Sequence, residues 1–441
     1  MLLAARWRAN VPEGVDERRL LAANFADALG TGIFMPISVI YLTQIIGLSP
    51  VRVGIGLTIA GAVAIAGVPA SGALADRFDA RKVVLACYLA SALAFAAYTA
   101  VNSFGSFLAV ALVVQVAGRT VGPAKAVLVL GVTSAEERVV GLAWQQTLRN
   151  FGYGIGGLLA AAVLLERSRT LFECVLAANA VSYVVASALV LRLPPVRTVH
   201  RDEATGFRDV FRDRPFIGLA LLNSLIALHD SALQVAMPLW IATRTSAPLA
   251  LTGLLFTLNT ILVVALQVRS VRKVTTIGGI GRSYRTAARA FAVACVAFAF
   301  AGRVSPFLAI VFLLVGLAAL TRGELENTAG ESFLAVELAA ARLRGRYLSV
   351  FKSSVALQQA IGPALVTTLI TGLGGAGWLA IGALLVAGTL ASRKLGAYAI
   401  GRSAASSTDL EPTTAIGTQP TPNTPPTSTP FFVELLRRSR T

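Results

Sequence analysis

The chain has 441 residues, of which 55% are hydrophobic and only 14% charged, and its mean hydropathy is +0.71. These values exclude an ordinary soluble domain and a disordered chain, so the predicted solvent is the lipid bilayer. The formal net charge of +17 would indicate nucleic-acid binding only if the basic residues shared one surface.

Apolar stretches of membrane-spanning length follow one another through most of the chain. A spanning helix needs about 20 mostly apolar residues, and none of the stretches has the alternating pattern of a barrel strand. Because backbone polar groups in lipid must be satisfied within the chain, we expect helices. The predicted spans lie near residues 20–46, 52–74, 83–102, 105–131, 142–165, 171–193, 215–243, 248–269, 286–304, 306–330, 348–371 and 375–392. The predicted fold class is an all-α membrane protein with twelve transmembrane helices.

Basic residues are concentrated in every second connection between the predicted spans. Examples are Arg18, Arg19, Arg77, Arg81, Lys82, Arg138, Arg208, Arg212, Arg272, Lys273, Arg342, Arg344, Arg393 and Lys394. By the positive-inside rule these connections and both termini are cytoplasmic. The net charge therefore follows membrane topology, and it does not call for nucleic acid as a partner.

The pattern of spans recurs with a shift of about 200 residues, which indicates two related halves. Matching landmarks are Met35-Pro36 and Met237-Pro238, Gly54 and Gly253, Arg119 and Arg322, and Gly141 and Gly345. Because six spans separate the copies, both have the same orientation, as in a parallel repeat. The predicted domains are a cytoplasmic N-terminus (1–19), an N-terminal six-helix bundle (20–193), a cytoplasmic linker (194–214), a C-terminal six-helix bundle (215–392) and a disordered cytoplasmic tail (393–441).

Residues that support enzymatic or metal chemistry are scarce in this chain. The three cysteines lie far apart in apolar spans, the two histidines are not clustered, and no CxxC, HExxH or Walker-type GxxxxGK[ST] motif occurs. We therefore expect neither an enzyme nor a cofactor or bound metal. Any work on a substrate would then draw on an ion gradient or a partner.

The connection between spans two and three reads Gly72-Ala-Leu74-Ala-Asp76-Arg77-Phe-Asp79-Ala-Arg81-Lys82. It resembles the signature loop of the major facilitator superfamily, roughly G-x-L-a-D-R-x-x-x-R-[RK]. The resemblance implies a transporter of two six-helix bundles, in which this loop is a latch that stabilises one state. Gly72 would permit close helix approach, and Asp76, Arg77 and Arg81 would supply hydrogen bonds and charge. The alternative is a solvated loop that only follows the charge bias.

Span four contains Arg119-Thr-Val-Gly122, which is similar to the R-x-x-q-G motif of proton-coupled members of this superfamily. An arginine this deep in a span is costly in lipid and should face the interior. Helical spacing places Gln115, Arg119 and Gly122 on one face of span four, and Asn24, Asp27 and Thr31 on one face of span one. We hypothesise that Asp27 and Arg119 form a pair whose protonation changes during transport. A permanent ion pair that only orients the helices is the alternative.

The second half has its own polar residues, His229 and Asp230 in span seven and Arg322, Glu324 and Glu326 in span ten. Adjacent helical residues point about 100° apart, so His229 and Asp230 are expected to face different surroundings. Asp230 is the better functional candidate, and His229 is interpreted as an interior histidine. Arg322 repeats Arg119, and Glu324 is the nearest acid to balance it. Glu326 is expected near the cytoplasmic boundary, without a special role.

Spans five and eleven add polar and small residues. Gly152 and Gly156 in span five predict close helix packing. Drug antiporters of the superfamily often have Gly-Pro-x-x-Gly-Gly there, and this chain lacks the proline, although span eleven contains Gly362-Pro363. The substrate-cavity candidates are Asn24, Thr31, Gln115, Gln146, Asn150, Gln358 and Gln359, with interhelical hydrogen bonding as the alternative role.

These features predict a secondary active transporter that resembles proton-driven exporters of drugs or metabolites. The cavity is expected to be largely apolar, with few aromatic residues and no cluster of cations, which favours an amphipathic organic substrate. Uptake by substrate:proton symport and a non-transporting receptor or scaffold are the alternatives. Expected partners are a small organic substrate, protons and lipid, and the superfamily resemblance implies a monomer. The abundance of arginine and alanine favours a bacterial plasma membrane.

Overall fold

The computed structural model describes residues 14–66, 79–132, 138–166, 168–196, 212–273, 277–337 and 344–408. These residues are helical, and no strand occurs among them. The helices of the first half are α1 (Val15–Ile40), α2 (Pro50–Ala66), α3 (Ala80–Ala97), α4 (Phe104–Val132), α5 (Arg138–Glu166) and α6 (Arg169–Leu191). Those of the second half are α7, which is interrupted (Arg214–Ile226, Leu228–Ser231 and Met237–Arg244), α8 (Leu251–Lys273), α9 (Ile277–Ala301), α10 (Pro306–Glu337), α11 (Arg344–Leu373) and α12 (Gly375–Thr408).

Ten of the described helices are long and apolar enough to cross a bilayer. The other two, α2 and α8, have shorter apolar segments at Pro50–Ile65 and Leu251–Gln267. The predicted all-α, multi-pass membrane fold is confirmed, because the described helices satisfy their backbone groups internally, as hydrocarbon requires. The number of twelve spans stays a prediction for α2 and α8.

Aspartates cap two helices that follow basic connections. The carboxylate of Asp79 accepts a hydrogen bond from the backbone N–H of Arg81 at the start of α3. Asp213 accepts one from Phe216 at the start of α7, where Pro215 occupies the first turn. Both side chains satisfy N–H groups that a helix leaves unpaired at its beginning.

The repeated Met-Pro pairs are accompanied by irregular helix geometry in both halves. Pro36 lies inside α1, which continues into a π-helical turn at Tyr41–Ile45. In α7 a π-helical turn at Ala232–Ala236 directly precedes Met237 and Pro238. Proline removes an intrahelical hydrogen bond, and π-helical turns occur where a helix bends, often at functional sites. The two repeats therefore share a local distortion as well as a sequence.

Glycines let α1 and α5 approach each other closely within the first half. A Cβ added at Gly156 would lie 2.6 Å from the backbone nitrogen of Ile33, and one at Gly152 would lie 2.8 Å from the Cβ of Ala28. A side chain at either position would force the two helices apart. The predicted role of Gly152 and Gly156 in close packing is confirmed.

The two halves meet through α2 with α11 and through α5 with α8. A Cβ added at Gly61 would lie 2.9 Å from the Cα of Ala360, and one at Gly253 would lie 2.9 Å from the Cα of Ala161. Glycines on both sides of the molecule thus bring backbones together. Small residues are typical of such contacts in membranes, where van der Waals packing drives helix association.

Hydroxyl groups add hydrogen bonds across the same two contacts. The backbone N–H of Ala364 donates to Thr58 Oγ1 at 3.2 Å, and Thr257 Oγ1 donates to the carbonyl of Gly154 at 3.0 Å. Thr58 and Gly154 lie near the middle of α2 and α5, Thr257 near the start of α8 and Ala364 in the last third of α11.

The ends of the predicted domains are only partly described. Helix α12 continues to Thr408, so residues 393–408, which were expected in a disordered tail, are helical. The described residues up to 400 belong to one compact unit, and 401–408 are the described part of a second. Most of the predicted linker (197–211), the N-terminus up to residue 13 and the tail from 409 onwards lie outside the described residues.

Replacing Gly156 by alanine should destabilise the protein, because the added methyl group would collide with the backbone of α1. Overpacking of this kind typically costs about 1–3 kcal/mol. Gly154→Ala on the same helix is the matched control, since nothing lies within 4 Å of a Cβ there. Thermal unfolding in one detergent should give a lower midpoint for Gly156→Ala than for Gly154→Ala. Equal midpoints would contradict the close packing of α1 and α5.

Candidate functional site

A cavity of about 450 Å³ lies between the two halves. Seven helices contribute most of its wall: α1, α3, α4, α5 and α6 from the first half, and α7 and α11 from the second. The residues named from sequence that line it are Asp27, Thr31, Gln115, Arg119, Gly122, Asp230, Gln358 and Gln359. Its volume is that of a site for a small organic molecule.

An ion pair between Asp27 of α1 and Lys125 of α4 forms one wall of this cavity. Lys125 Nζ lies 2.6 Å from Asp27 Oδ2, and the two side chains are only 18% (Asp27) and 14% (Lys125) exposed. The short distance is typical of a charge-assisted hydrogen bond. The hypothesis that Asp27 has a cationic partner is correct, but the proposed partner, Arg119, is wrong for this structure.

The predicted polar face of α1 surrounds this ion pair. Lys125 also donates to Asn24 Oδ1 at 3.2 Å, and Tyr88 donates to Asp27 Oδ2 at 3.4 Å. Thr31 Oγ1 lies 3.5 Å from Asp27 Oδ1 and 3.2 Å from the hydroxyl of Tyr183. The ion pair therefore belongs to a network that joins α1, α3, α4 and α6. A change in the charge of Asp27 would alter hydrogen bonds on all four helices.

Lys125 was missed although the sequence contains a signal for it. The residue lies inside the predicted span 105–131, where an ammonium group is as costly as the guanidinium of Arg119. Arg119 matched a family motif and was therefore assigned as the partner of Asp27, whereas Lys125 matched no motif. A search for every ionisable residue within the spans would have found it.

Arg119 lines the cavity but has no hydrogen bond or ion pair with any residue that the structure describes. Gln115 and Gly122 line the cavity with it, so the predicted face of α4 is confirmed. The guanidinium is half-buried and lacks an acidic partner in the described part of the protein. It is therefore a positive group with unused donors at the cavity wall.

Aromatic side chains form a continuous wall, contrary to the expectation that the cavity has few of them. Tyr183 contacts Tyr88 and Phe95, with ring centroids 5.8 Å and 5.6 Å apart. Phe95 also packs against Tyr98 at 5.8 Å and against Phe34 at 4.8 Å. All five residues line the cavity. The spacings are those of favourable stacked and edge-to-face pairs.

Basic side chains also line the cavity, for which no cluster of cations was expected. Three of the lining residues are basic, namely Arg119, Lys125 and Arg149. The sequence could not show this grouping, because Arg149 lies on α5 and the other two on α4. The cavity is amphipathic, with rings from the first half next to charges and amides.

In the second half, Asp230 reaches the cavity and also contacts His229. Asp230 Oδ1 lies 3.5 Å from His229 Nε2, and His229 Nδ1 lies 2.8 Å from the carbonyl of Ile226. Asp230 lines the cavity, whereas His229 is 7% exposed and does not line it, so the two residues face different surroundings as expected. The helix is interrupted at Ala227, whose carbonyl accepts from the N–H of Asp230 at 2.9 Å. The interpretation of His229 as a buried histidine with polar partners is confirmed.

The charge partners in α10 also differ from those expected. Arg322 Nη2 lies 2.6 Å from Glu326 Oε1, one helical turn along the chain, whereas Glu324 accepts a hydrogen bond from Asn259 of α8 at 3.3 Å. Residues four apart share a helix face, and residues two apart do not. Glu326 is 7% exposed and accepts from Ser283. Glu326 is therefore the counter-charge of Arg322, the role that was assigned to Glu324. Neither Arg322 nor Glu324 lines the cavity.

A further acidic residue, Glu331, lies just beyond the predicted end of span ten and was not considered. Its Oε1 accepts from Asn223 Nδ2 at 3.1 Å, and the same amide nitrogen lies 3.0 Å from Ser354 Oγ. The amides of Asn223 and Asn259 thus bind acids of α10 from α7 and α8. In the described residues no group of three metal-ligating side chains comes together.

Two residues of α5 that were predicted to line the cavity, Gln146 and Asn150, do not line it. Arg149 Nη2 donates to Gln146 Oε1 at 2.6 Å, and Gln146 Nε2 donates to Asn150 Oδ1 at 3.3 Å. Gln146 is exposed, and both residues lie outside the cavity wall. The hydrogen bonds of Gln146 and Asn150 lie within α5, so among the described residues neither the predicted cavity lining nor the alternative of interhelical hydrogen bonding is seen for them.

Only the end of the proposed latch is described. Gly72, Leu74, Asp76 and Arg77 lie outside the described residues, while Arg81 and Lys82 open α3. Arg81 Nη1 donates to the carbonyl of Leu193 at 2.7 Å, just beyond the end of α6. A cation at a helix C-terminus complements the helix dipole and its free carbonyls. The basic residue thus links α3 to α6, and Lys82 is exposed.

Removing the ammonium group of Lys125 should leave Asp27 inside the protein without its cation. Loss of one partner of a buried ion pair typically costs about 3–5 kcal/mol. Lys125→Met should therefore lower the midpoint of thermal unfolding, while Lys394→Met, at an exposed lysine, should not. The double variant Lys125→Met/Asp27→Asn should recover part of the loss, because neither charge is left alone. If the changes in unfolding midpoint caused by the two single substitutions simply add in the double variant, the pairing of Asp27 with Lys125 is contradicted.

Comparison with known proteins is consistent with this architecture. The nucleoside transporter NupG, in a mutant form, superposes with a TM-score of 0.72 at 13% identity, covering 86% of this chain and 99% of NupG. A bacterial homologue of the iron transporter ferroportin, in an inward-facing state, superposes with a TM-score of 0.65 at 16% identity over 88% of this chain and 99% of its own. A mutant of the peptide transporter POT superposes with a TM-score of 0.65 at 16% identity, over 90% of this chain and 97% of its own.

Among curated protein sequences none matches this chain significantly. The structural likenesses are all far below the identity at which function is shared, so they establish the fold alone. A family model described as Major Facilitator Superfamily matches residues 20–322, which is more than half of the chain. The chain therefore belongs to the Major Facilitator Superfamily of membrane transporters.

Proposed function

We propose that this transporter couples the movement of an amphipathic organic compound to protons by alternating access. The observation that carries the proposal is the ion pair of Asp27 and Lys125 in the wall of the cavity between the halves. Ionisable groups inside a membrane are expensive, and they mark ion and substrate pathways. A carboxylate at this place can take up a proton from whichever side the cavity faces.

Protonation of Asp27 would remove the charge that holds Lys125. The ammonium group would keep Asn24 as a partner, and Tyr88 and Thr31 would lose a charged acceptor. These contacts join helices of one half around the cavity, so their loss would change the affinity of the cavity for any substrate that touches them. By linkage, the substrate then changes the affinity for the proton by the same factor.

Export in exchange for protons is the first direction we propose. An amphipathic compound that binds beside Asp27 would compete with the proton for the same carboxylate, and competition for one site is what exchange requires. The resemblance of the loop containing Arg81 and of the Arg119 motif to those of proton-driven exporters supports this direction.

Uptake by substrate:proton symport is the second candidate, and one observation favours it. Arg119 lines the cavity without an acidic partner among the described residues. A substrate held by Arg119 would leave Asp27 free to bind a proton at the same time, which is the requirement for symport.

The membrane arrangement predicted from sequence is part of the proposal. It consists of twelve spans in two six-helix bundles, 20–193 and 215–392, with both termini in the cytoplasm of a bacterium and a monomeric chain. The contact of Arg81 with Leu193 supports a latch role for the loop before α3. The glycine contacts of α2 with α11 and of α5 with α8 support bundles that rock against each other.

In the second half, we assign the proton-coupling role to Asp230 before the other candidates. Asp230 lines the cavity and contacts His229, which is a second titratable group. Arg322 and Glu324 lie away from the cavity, each with a polar partner of its own. Their part in coupling would be indirect, through the packing of α10.

Replacing Asp27 by asparagine should abolish gradient-driven transport while leaving insertion and topology intact, although the midpoint of thermal unfolding should fall because Lys125 loses its counter-charge. Cells that express the protein are de-energised and loaded with a panel of fluorescent dyes. A proton gradient is then restored, and later collapsed with an uncoupler. The unchanged protein should cause a loss of dye that depends on the gradient. In Asp27→Asn the rate of dye loss should fall to that of cells without the protein.

The matched control is Glu173→Gln, which removes one negative charge near the start of α6, outside the cavity. It should retain the rate of the unchanged protein. Full gradient-driven transport by Asp27→Asn would refute Asp27 as the proton site. A gain of dye that depends on the gradient would establish the symport candidate in place of export.

A further inference from the structure

We propose that the substrate is an aromatic organic anion whose negative group pairs with Arg119. This inference rests on the proposed function in one respect, namely that the cavity between the halves is the transport site. It adds the sign of the substrate charge and the residues that recognise it. Three independent features of the cavity support it.

The first feature is the balance of charge. The described lining residues include three basic side chains, Arg119, Lys125 and Arg149, and two acidic ones, Asp27 and Asp230. Asp27 is occupied by Lys125, and Asp230 contacts His229. The cavity therefore has more positive than negative groups, and the acids already have partners. A cationic substrate would have to break one of these pairs, whereas an anion would not.

The second feature is the exposed chemistry of Arg119. A guanidinium within a span is costly unless a counter-charge or water neutralises it. No described residue supplies that charge, and the side chain lies at a surface that a solute can reach. The planar guanidinium offers paired donors that match a carboxylate, sulfonate or phosphate. A bound anion would supply the missing counter-charge.

The third feature is an unsatisfied amide oxygen on the opposite side of the cavity. Gln358 of α11 is 2% exposed, and its Nε2 donates to Ser231 Oγ at 2.6 Å. Its Oε1 has no hydrogen-bond partner. A buried acceptor without a partner is rare and costly. Gln358 lines the cavity, so a donor on the substrate would reach this buried oxygen once the side chain turns toward the cavity, and the substrate would then contact both halves.

The apolar part of the substrate would lie against the aromatic wall. Tyr88, Tyr183, Phe95 and Tyr98 form a row in which neighbouring ring centroids are 5.6 to 5.8 Å apart. A planar ring gains from offset stacking or edge-to-face contact with such a wall. An anion with one or two aromatic rings and a hydroxyl or N–H group combines all three features within about 450 Å³.

The charge of the substrate also determines the sign of coupling. When Asp27 is protonated, Lys125 is no longer neutralised, and the cavity gains positive charge. An anion would then bind more tightly, and by reciprocity its binding would favour the protonated state. Positive coupling between proton and anion means that they travel together. This inference therefore favours the symport candidate over exchange.

The test is equilibrium binding to the purified full-length chain in lipid nanodiscs. The probes are radiolabelled 2-naphthoate and its cationic counterpart 2-naphthylmethylamine, at two pH values at which both keep their charge. Naphthoate should bind saturably, more tightly than the amine, and more tightly at the lower pH. Asp27→Asn should remove the pH dependence and keep the higher affinity, because it imitates the protonated acid.

Arg119→Gln should weaken naphthoate binding about 10-fold or more, the usual effect of losing a charge-assisted hydrogen bond. The affinity of Arg119→Lys for naphthoate should lie between those of the unchanged protein and Arg119→Gln, since lysine keeps the charge but not the paired donors. Arg289→Gln is the matched control, because Arg289 is exposed on α9 and outside the cavity. Gln358→Leu should weaken binding of 6-hydroxy-2-naphthoate more than that of naphthoate.

The proposal is overturned if naphthoate shows no saturable binding, if the amine binds as tightly, or if Arg119→Gln and Arg289→Gln bind alike. Failure here is distinguishable from failure of the proposed function. If Asp27→Asn still abolishes gradient-driven dye movement in cells, the transport site stands and only the anionic substrate class falls. If Asp27→Asn transports normally, the proton site falls whichever probe binds.

Discussion

Ionised side chains inside a membrane must find opposite charge, and much of this structure follows from how the chain meets that demand. Asp27 and Lys125 neutralise each other across two helices, and Arg322 and Glu326 do so within one helix. Glu324 is instead held by an amide. Arg119 is different, because its wall of the cavity is open to solutes and it pairs with none of the residues described. At Arg119, where no described residue supplies the counter-charge, a bound substrate can supply it.

The two halves share a repeat but divide the chemistry unequally. The first half contributes the ion pair, the unpaired arginine and the aromatic row. The second half holds most of its acids away from the cavity, and it presents Asp230 and three glutamines there, Gln234, Gln358 and Gln359. The groups that we propose for proton binding and substrate recognition are therefore concentrated on the first bundle. The other bundle supplies a surface that can move against it without breaking the charged network.

The contacts between the halves suit such movement. Gly61 and Gly253 bring backbones of the two halves together with few long side chains between them. Surfaces of this kind can separate and repack, because no interlocked side chains must first be withdrawn. Within the first half, Gly152 and Gly156 hold α1 against α5, so the helix that bears Asp27 has a fixed position in its own bundle. Rigid bundles with a separable contact are what alternating access requires.

The sequence alone determined the helices, the repeat and, on α1 and α4, a set of residues that line the cavity. Hydropathy over about 20 residues predicts a span wherever it lies in the fold, and helical periodicity correctly placed Asp27 and Thr31 on one cavity-facing side of α1. It did not predict partners between helices: Lys125 rather than Arg119 meets Asp27. Periodicity sets the rotation of a residue about its own helix axis, but the axial offset between α1 and α4 arises only from packing. For the same reason, only the tertiary structure revealed the aromatic row and the three cations in one cavity, since their residues come from four different helices.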